Sequence, residues 1–165
     1  MAKKDPKDLP VEEKLKNLFQ LQTTLSGIDE KRALRGELPL EVRDLEDELE
    51  GLHTRIEKIE QDIKDYQSAV AQKKGDIVEA QASLERYNKQ LDTVANNREY
   101  DTLTKEIEFQ TLEIELCNKK IKEAQFKVEE KQQDLDANRA LLEDRQRALE
   151  EKRNELDEIM QETRE

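Results

Sequence analysis

Residues 42–70 read VRDLEDELEGLHTRIEKIEQDIKDYQSAV, and their apolar side chains recur alternately three and four positions apart. The spacing resumes after a polar step at Lys73. It gives a first ladder at Val42, Leu45, Leu49, Leu52, Ile56, Ile59, Ile63, Tyr66, Val70, Ile77, Ala80, Leu84, Tyr87, Leu91 and Val94. A seven-residue apolar period over this many turns is typical of a coiled coil. The stripe predicts a long helix that buries one face against another helix.

A second ladder follows after five residues and supplies the partner. Its positions are Tyr100, Leu103, Ile107, Gln110, Ile114, Cys117, Ile121, Ala124, Val128, Lys131, Leu135, Asn138, Leu142, Arg145, Leu149, Lys152, Leu156 and Ile159. The connection at 95–99 is short, and its two asparagines tolerate left-handed backbone and cap helices well. We therefore expect the helices to fold back on each other as antiparallel neighbours, with Asn96 and Glu99 at capping-box spacing.

The composition agrees with a helical coiled coil and disfavours a globular core. The chain has 165 residues, of which 42% are charged, 34% are hydrophobic and 4% are aromatic. Disorder is the rival interpretation of so charged a sequence, but the apolar residues are periodic rather than scattered.

The sequence predicts an all-α fold, a long antiparallel two-helix coiled-coil hairpin with a shorter N-terminal helix packed at its base. We place the break between them in RGELPLE, residues 35–41, because Gly36 suits a left-handed helix end and Pro39 the first turn of a new helix. The predicted segments are a disordered N-terminus at 1–10, the N-terminal helix at 11–35, and the hairpin at 39–165, with helices at 39–95 and 98–165 and the tip at 95–99. One face of the N-terminal helix carries Leu15, Leu18, Gln22, Leu25 and Ile28.

The two ladders fit each other in one register along their whole length. Layers of facing residues form where two residue numbers add up to 194, as for Val94 with Tyr100 and Leu45 with Leu149. A slip of one heptad, to a sum of 201, also matches the pattern but needs a longer tip loop. We expect the first register.

Four polar residues occupy successive core positions far from the tip, namely Lys131, Asn138, Arg145 and Lys152. One interpretation is that the N-terminal helix joins the hairpin there and loosens the two-stranded geometry. The other is that the polar stripe specifies the register at some cost in stability. Both interpretations stay open, because long Lys and Arg stems can cover apolar surface while their charges remain in water.

The formal net charge of −12 argues against nucleic acid as a partner of this segment. Its basic residues are interleaved with acidic ones, and the densest basic run is Lys119, Lys120 and Lys122. The N-terminal sequence MAKKDPKDLP has no apolar signal region, and no stretch is apolar enough to span a membrane. We expect a cytoplasmic protein whose partner is another protein, with a homodimer through Phe109, Leu112, Leu116, Phe126 and Leu141 as one alternative.

The sequence carries no arrangement that predicts catalysis, a cofactor or a metal site. The single histidine, His53, lies beside the ladder and is expected at the surface, and the single cysteine, Cys117, is expected to act as a small apolar core residue. The tip is the best candidate for an interaction site, because rigid scaffolds often present recognition loops. Its residues are Asn96, Asn97, Arg98, Glu99 and Tyr100, which alternatively only close and cap the hairpin.

Three stretches resemble a bacterial family that has an N-terminal coiled-coil hairpin and a C-terminal four-cysteine zinc ribbon. They are LKNLFQLQ at 15–22, LSGIDEKRALRGELPLEVRDLEDELEGL at 25–52 and NNREYDTLTKEIEFQ at 96–110. The specific elements are the RGELP turn, which looks most like the Bacteroidetes branch, and the tip. The resemblance covers nearly the whole chain.

Members of this family are thought of as non-enzymatic adaptors or regulators, some linked to flagellar gene expression through an alternative sigma factor. The resemblance implies a scaffold or adaptor function and a sigma-factor-like partner. It also implies a zinc ribbon that is absent from this sequence, which contains only Cys117 and stops at Glu165 within a predicted helix. We therefore expect a truncated chain. The alternatives are a nucleic-acid regulator that acts through the missing ribbon and a mechanical coiled-coil spacer.

Overall fold

Two long α-helices make up the part of the chain that the structure describes. The computed structural model describes the backbone of residues 8–164 and the side chains of residues 11–163. Within that range, α1 spans Asp8–Leu91, α2 spans Asn97–Arg164, and neither strands nor further helices occur. The all-α prediction of two long helices packed against each other is confirmed.

The chain divides into two compact units, each of which pairs part of α1 with part of α2. Unit 1 combines α1 up to Gly51 with α2 from Leu142 onward. Unit 2 is the continuous stretch Leu52–Leu141 and contains the loop at 92–96. Unit 2 is therefore a helical hairpin.

Burial follows the two heptad ladders in both units. Every ladder position from Val42 to Ile159 is buried or half-buried, apart from Tyr100, which is 54% exposed. The most deeply buried ladder residues are Leu49, Leu52, Ile56, Ile59, Ile63, Ala80, Cys117, Ile121, Leu135, Leu149 and Ile159. Full burial of one Leu or Ile side chain contributes about 1.5–3 kcal/mol, so this seam is the main stabilising element. The expectation that Tyr100 packs in the seam was wrong.

Contacts between polar side chains of α1 and α2 report the register. They are Lys31–Glu162, Glu41–Lys152, Glu46–Arg153 and Glu48–Arg145 in unit 1, and Arg55–Asn138, Glu60–Arg139 and Asp62–Lys131 in unit 2. The two residue numbers add up to 193 in five of these contacts and to 199 in the other two. Within each unit the contacts fall on these two sums alone, as expected for antiparallel helices in a single register.

The ion pair between Lys131 and Asp62 decides between the two predicted registers. Its Nζ–Oδ2 distance is 3.5 Å. In the 194 register Lys131 faces Ile63, the neighbour of Asp62. In the 201 register it would face Val70, eight residues away from Asp62, or about 12 Å along the axis. The two side chains cannot bridge that offset, so the ion pair selects the 194 register.

The four residues of the polar stripe of α2 all make the same kind of contact with α1. Each of its residues is half-buried and reaches the α1 residue that precedes the apolar residue of its own layer. The four contacts are Lys131 with Asp62, Asn138 with Arg55, Arg145 with Glu48 and Lys152 with Glu41. The aliphatic stems can therefore cover the seam while the polar ends remain at its rim. This arrangement favours the register interpretation of the stripe.

Two charged groups in these contacts have shifted pKa values, Lys152 of the stripe and Asp62 of α1. The hydrogen bond to Glu41 and the charge of that carboxylate raise the pKa of Lys152. A hydrogen bond from Lys58 lowers the pKa of Asp62, the charges of Lys58 and Lys131 act in the same direction, and desolvation opposes them. Because the folded pKa of Asp62 lies below the unfolded value of about 4, its stabilising contribution is present above that pH. The contribution is lost as the pH falls through the folded pKa.

The predicted separate N-terminal helix at 11–35 was wrong, because α1 continues through Gly36 and Pro39. No residue in the described range has a positive φ, so Gly36 does not form a left-handed helix end. A proline in a helix interior costs about 3 kcal/mol. Packing offsets that cost, since Leu38 is 1% exposed and Lys31 Nζ lies 2.7 Å from Glu162 Oε2 of α2. Lys31 and Leu38 precede Leu45 by fourteen and seven residues, so all three occupy the same heptad position.

The first residues of α1 have no covering helix in the described range. We expected their apolar face to pack at the base of the hairpin, but Leu15, Leu18 and Leu25 are 61%, 52% and 50% exposed, and Val11 and Ile28 are exposed as well. We call these five residues the N-terminal apolar face. Residues 1–7 of the predicted disordered segment lie outside the described residues, whereas Asp8, Leu9 and Pro10 belong to α1.

The substitution Gly36→Ala tests the continuity of α1. Gly36 is helical, and a Cβ added to it would have no atom within 4 Å. Because alanine favours a helix over glycine, we expect the substitution to raise the free energy of unfolding by about 1 kcal/mol. Thermal or urea unfolding measures the change. Gly75→Ala is the matched control, because Gly75 is also helical and equally open. A turn at residue 36 would instead make Gly36→Ala destabilising while Gly75→Ala still stabilised the protein.

Candidate interaction site at the hairpin tip

The loop at 92–96 begins with a tightened continuation of α1. The backbone N–H groups of Asp92, Thr93 and Val94 donate to the carbonyl oxygens three residues earlier, at 3.3, 3.1 and 3.5 Å. These bonds satisfy carbonyls that the end of a helix leaves without partners. The helix therefore ends at Leu91, a few residues before the predicted boundary.

Side chains on both sides of the first turn of α2 cap that helix. The N–H of Glu99 donates to Asn96 Oδ1 at 2.9 Å, and the N–H of Ala95 donates to Glu99 Oε2 at 3.4 Å. The N–H of Tyr100 donates to the carbonyl of Asn96 at 3.2 Å, which is the first helical bond. The predicted pairing of Asn96 with Glu99 is confirmed as a near relative of the capping box. The asparagines have negative φ, so the expected left-handed backbone is not used.

A shallow concavity of about 450 Å³ lies at the tip. It is lined by Gln90, Thr93, Val94, Arg98, Glu99, Thr102 and Leu103. Of the five predicted tip residues, the structure brings Arg98 and Glu99 together here, whereas Asn96, Asn97 and Tyr100 lie outside the lining. The interaction role of the tip remains a prediction.

The lining offers an apolar floor with a polar rim. Val94 and Leu103 are half-buried ladder residues, whereas Arg98 is exposed. The Thr93 and Thr102 hydroxyls donate to the carbonyls of Gln90 and Arg98, at 3.1 and 2.9 Å, and can still accept a hydrogen bond. Such a surface suits recognition of a polar segment of a partner. Sequence reasoning missed Gln90, Thr93 and Thr102, and only the placement of two hydroxyl residues on either side of the loop could have drawn attention to them.

The single histidine and the single cysteine lie in the environments that the sequence predicts. His53 is exposed and Cys117 is a buried free thiol, as expected for a surface residue and a small core residue. Among the residues with described side chains, no three His, Cys, Asp or Glu residues group closely enough to hold a metal ion. Neither α1 nor α2, over the described range, contains an apolar stretch long enough to cross a bilayer.

Comparison of the chain with family models, with curated proteins and with solved structures finds no match in any of the three.

Removal of the cap at the tip should destabilise the hairpin. Asn96→Ala deletes the acceptor for the N–H of Glu99, and we expect a loss of about 1 kcal/mol in the free energy of unfolding. Urea unfolding followed by circular dichroism measures the loss. Asn97→Ala is the control, because no side-chain hydrogen bond of Asn97 occurs within the described part of the chain. Equal losses in the two variants would contradict a specific capping role for Asn96.

Proposed function

We propose that this chain is a non-enzymatic protein-interaction scaffold that docks a helix of another protein on its N-terminal apolar face. The observation that carries the proposal is the exposure of Val11, Leu15, Leu18, Leu25 and Ile28 on one face of α1. Each Å² of apolar surface removed from water stabilises a complex by about 25 cal/mol before the costs of association. A contiguous exposed apolar face is a typical mark of an interaction surface.

Four of the five residues of the N-terminal apolar face lie outside the heptad positions of the seam, whereas Ile28 shares the position of Val42. Leu18 and Leu25 come one position later in the heptad than Lys31 and Leu38, which keep the seam frame. One position corresponds to about 100° around a helix. A helix that covers Leu18 and Leu25 would therefore lie on a different side of α1 from α2, as a third helix supplied by the partner.

An amphipathic helix is the occupant that best fits this face. Val11, Leu15, Leu18 and Leu25 recur at spacings that an opposing helix can match with residues at i, i+3, i+4 and i+7. The flanking residues Glu12, Glu13, Lys14 and Lys16 carry both signs of charge and favour a partner of mixed charge over a nucleic acid. The tip, with its concavity around Arg98, would be a second contact surface.

The resemblance to coiled-coil proteins with a zinc ribbon supports an adaptor function over a mechanical spacer. Its members are thought of as adaptors or regulators, which makes a sigma-factor-like protein one candidate partner. Cytoplasmic location and the zinc ribbon also belong to this proposal. A reading frame that continues beyond Glu165 into paired CxxC motifs would support the zinc ribbon and the family resemblance. A continuation without such motifs would remove both from the proposal.

A photo-crosslinking residue at Leu18 tests the docking proposal in the cells that produce the protein. We expect a discrete crosslinked protein, identified by mass spectrometry, that disappears when Leu15 and Leu25 are both changed to lysine. The matched control places the crosslinker at the exposed Gln20, on the opposite side of α1. No crosslinked partner at Leu18, or the same products at Gln20, would contradict docking on this face.

The tip needs its own variant, because it lies in a different part of the chain. The triple change Arg98→Glu, Glu99→Arg and Tyr100→Ala alters its charge and its exposed ring. If the tip contacts the same partner, this variant should reduce the yield of the Leu18 crosslink while circular dichroism shows unchanged helix content. An unchanged yield would remove the tip from the proposal and leave the apolar face in place.

A further inference from the structure

A compact apolar patch lies on α2 away from the seam. Phe109, Leu112 and Leu116 are 56%, 62% and 44% exposed, and we call them the outer patch. Their spacing of three and four places them on one face of α2. The neighbouring ladder residues Ile107, Gln110 and Ile114 are half-buried toward α1. In a chain with 42% charged residues, three large apolar side chains on an outer helix face indicate an interaction surface.

The charges on either side of the outer patch are opposite in sign. Glu106 and Glu108 precede it, and Lys119, Lys120 and Lys122 follow it. None of these five residues forms an ion pair in the described part of the chain, whereas the ion pairs between α1 and α2 engage α2 only from Lys131 onward. Lys105 weakens the acidic flank and Glu123 weakens the basic flank, but neither residue reverses the sign of its flank. The patch therefore lies between an acidic flank and a basic flank whose charges are free to pair with another molecule.

We propose that a second copy of this chain docks on the outer patch in antiparallel orientation. A two-fold axis near Leu112 would bring Phe109 of one copy against Leu116 of the other. The same rotation would place Glu106 opposite Lys119 of the second copy and Glu108 within one helical turn of Lys120, while Lys105 would lie opposite Lys120. Each contact then occurs twice, as the symmetry of an isologous dimer requires.

Charge selects the orientation and the type of partner. A parallel pair would place the acidic flanks together and the basic flanks together, at a cost of like-charge repulsion. An antiparallel second copy sets the net negative flank of each chain against the net positive flank of the other. The N-terminal apolar face takes no part in this contact, so the self-association does not rest on the proposed docking function.

The size of the outer patch determines the expected affinity of the dimer. Three apolar side chains on each copy bury less than the roughly 1,000 Å² that a stable specific interface needs. Glu113 and Glu115 stand beside the patch and bring like charges close to the two-fold axis. We therefore expect a weak, reversible dimer that forms at high micromolar concentration and low salt.

Sedimentation equilibrium at increasing protein concentration, in 50 mM NaCl, tests the proposal. The wild-type chain should shift from monomer to dimer, and Leu112→Glu should remain monomeric with unchanged helix content. Val78→Glu is the matched control, because Val78 is an apolar residue of α1 that is 65% exposed, and this variant should dimerise like the wild type. A wild-type chain that stays monomeric, or a Leu112→Glu variant that still dimerises, would overturn the proposal.

Charge reversal of the flanks tests the antiparallel orientation. Lys119→Glu with Lys120→Glu should weaken dimerisation about tenfold or more, because acidic residues would then face acidic residues. Adding Glu106→Lys and Glu108→Lys to the same chain should restore the dimer, since both flanks are then reversed together. Failure of the combined variant to recover the dissociation constant would overturn the antiparallel arrangement, even if the outer patch were the contact.

Discussion

The structure depends on the burial of two heptad stripes against each other, in a register fixed by half-buried polar side chains. Apolar layers alone would tolerate a slip of one heptad, because both ladders repeat every seven residues. Lys131 and Arg145 remove that freedom, since the slip would exchange their acidic partners Asp62 and Glu48 for Ala69 and Arg55. Each ion pair, at a largely exposed rim, contributes little to stability. Repeated along the helices, they distinguish one register from its neighbours.

The seam was predictable from the sequence because heptad spacing is a local pattern with a single physical solution. The continuity of α1 was not, because Gly36 and Pro39 are local signals for a helix end. Leu38 is in phase with the ladder and is the most deeply buried side chain of the described range, so packing against α2 outweighs those signals. The exposed face around Leu18 suggested a covering helix, but the described part of the chain does not supply one.

At the tip and on the outer surfaces, too, local patterns were predictable from the sequence, whereas contacts between distant residues were not. Asn96 and Glu99 could be paired from their spacing because a cap involves neighbours in sequence. The concavity could not be foreseen, because Thr93 and Thr102 meet only after the chain reverses direction. A seam between two helices uses most large apolar residues for folding and leaves recognition to those outside it. That division separates Leu49 and Ile56, which hold the fold, from Leu18 and Leu112, which remain exposed.

Disulfide formation within unit 2 tests the register most directly. Ile59 and Leu135 are both buried, and their numbers place them in one layer of the 194 register. In a Cys117→Ala background, cysteines at 59 and 135 should form an intrachain disulfide under mild oxidation, whereas cysteines at 66 and 135, the layer of the slipped register, should stay reduced. Rapid crosslinking of the 66/135 pair, with the 59/135 pair unreactive, would contradict the 194 register, and a 59/135 disulfide that forms only between chains would contradict the intrachain hairpin.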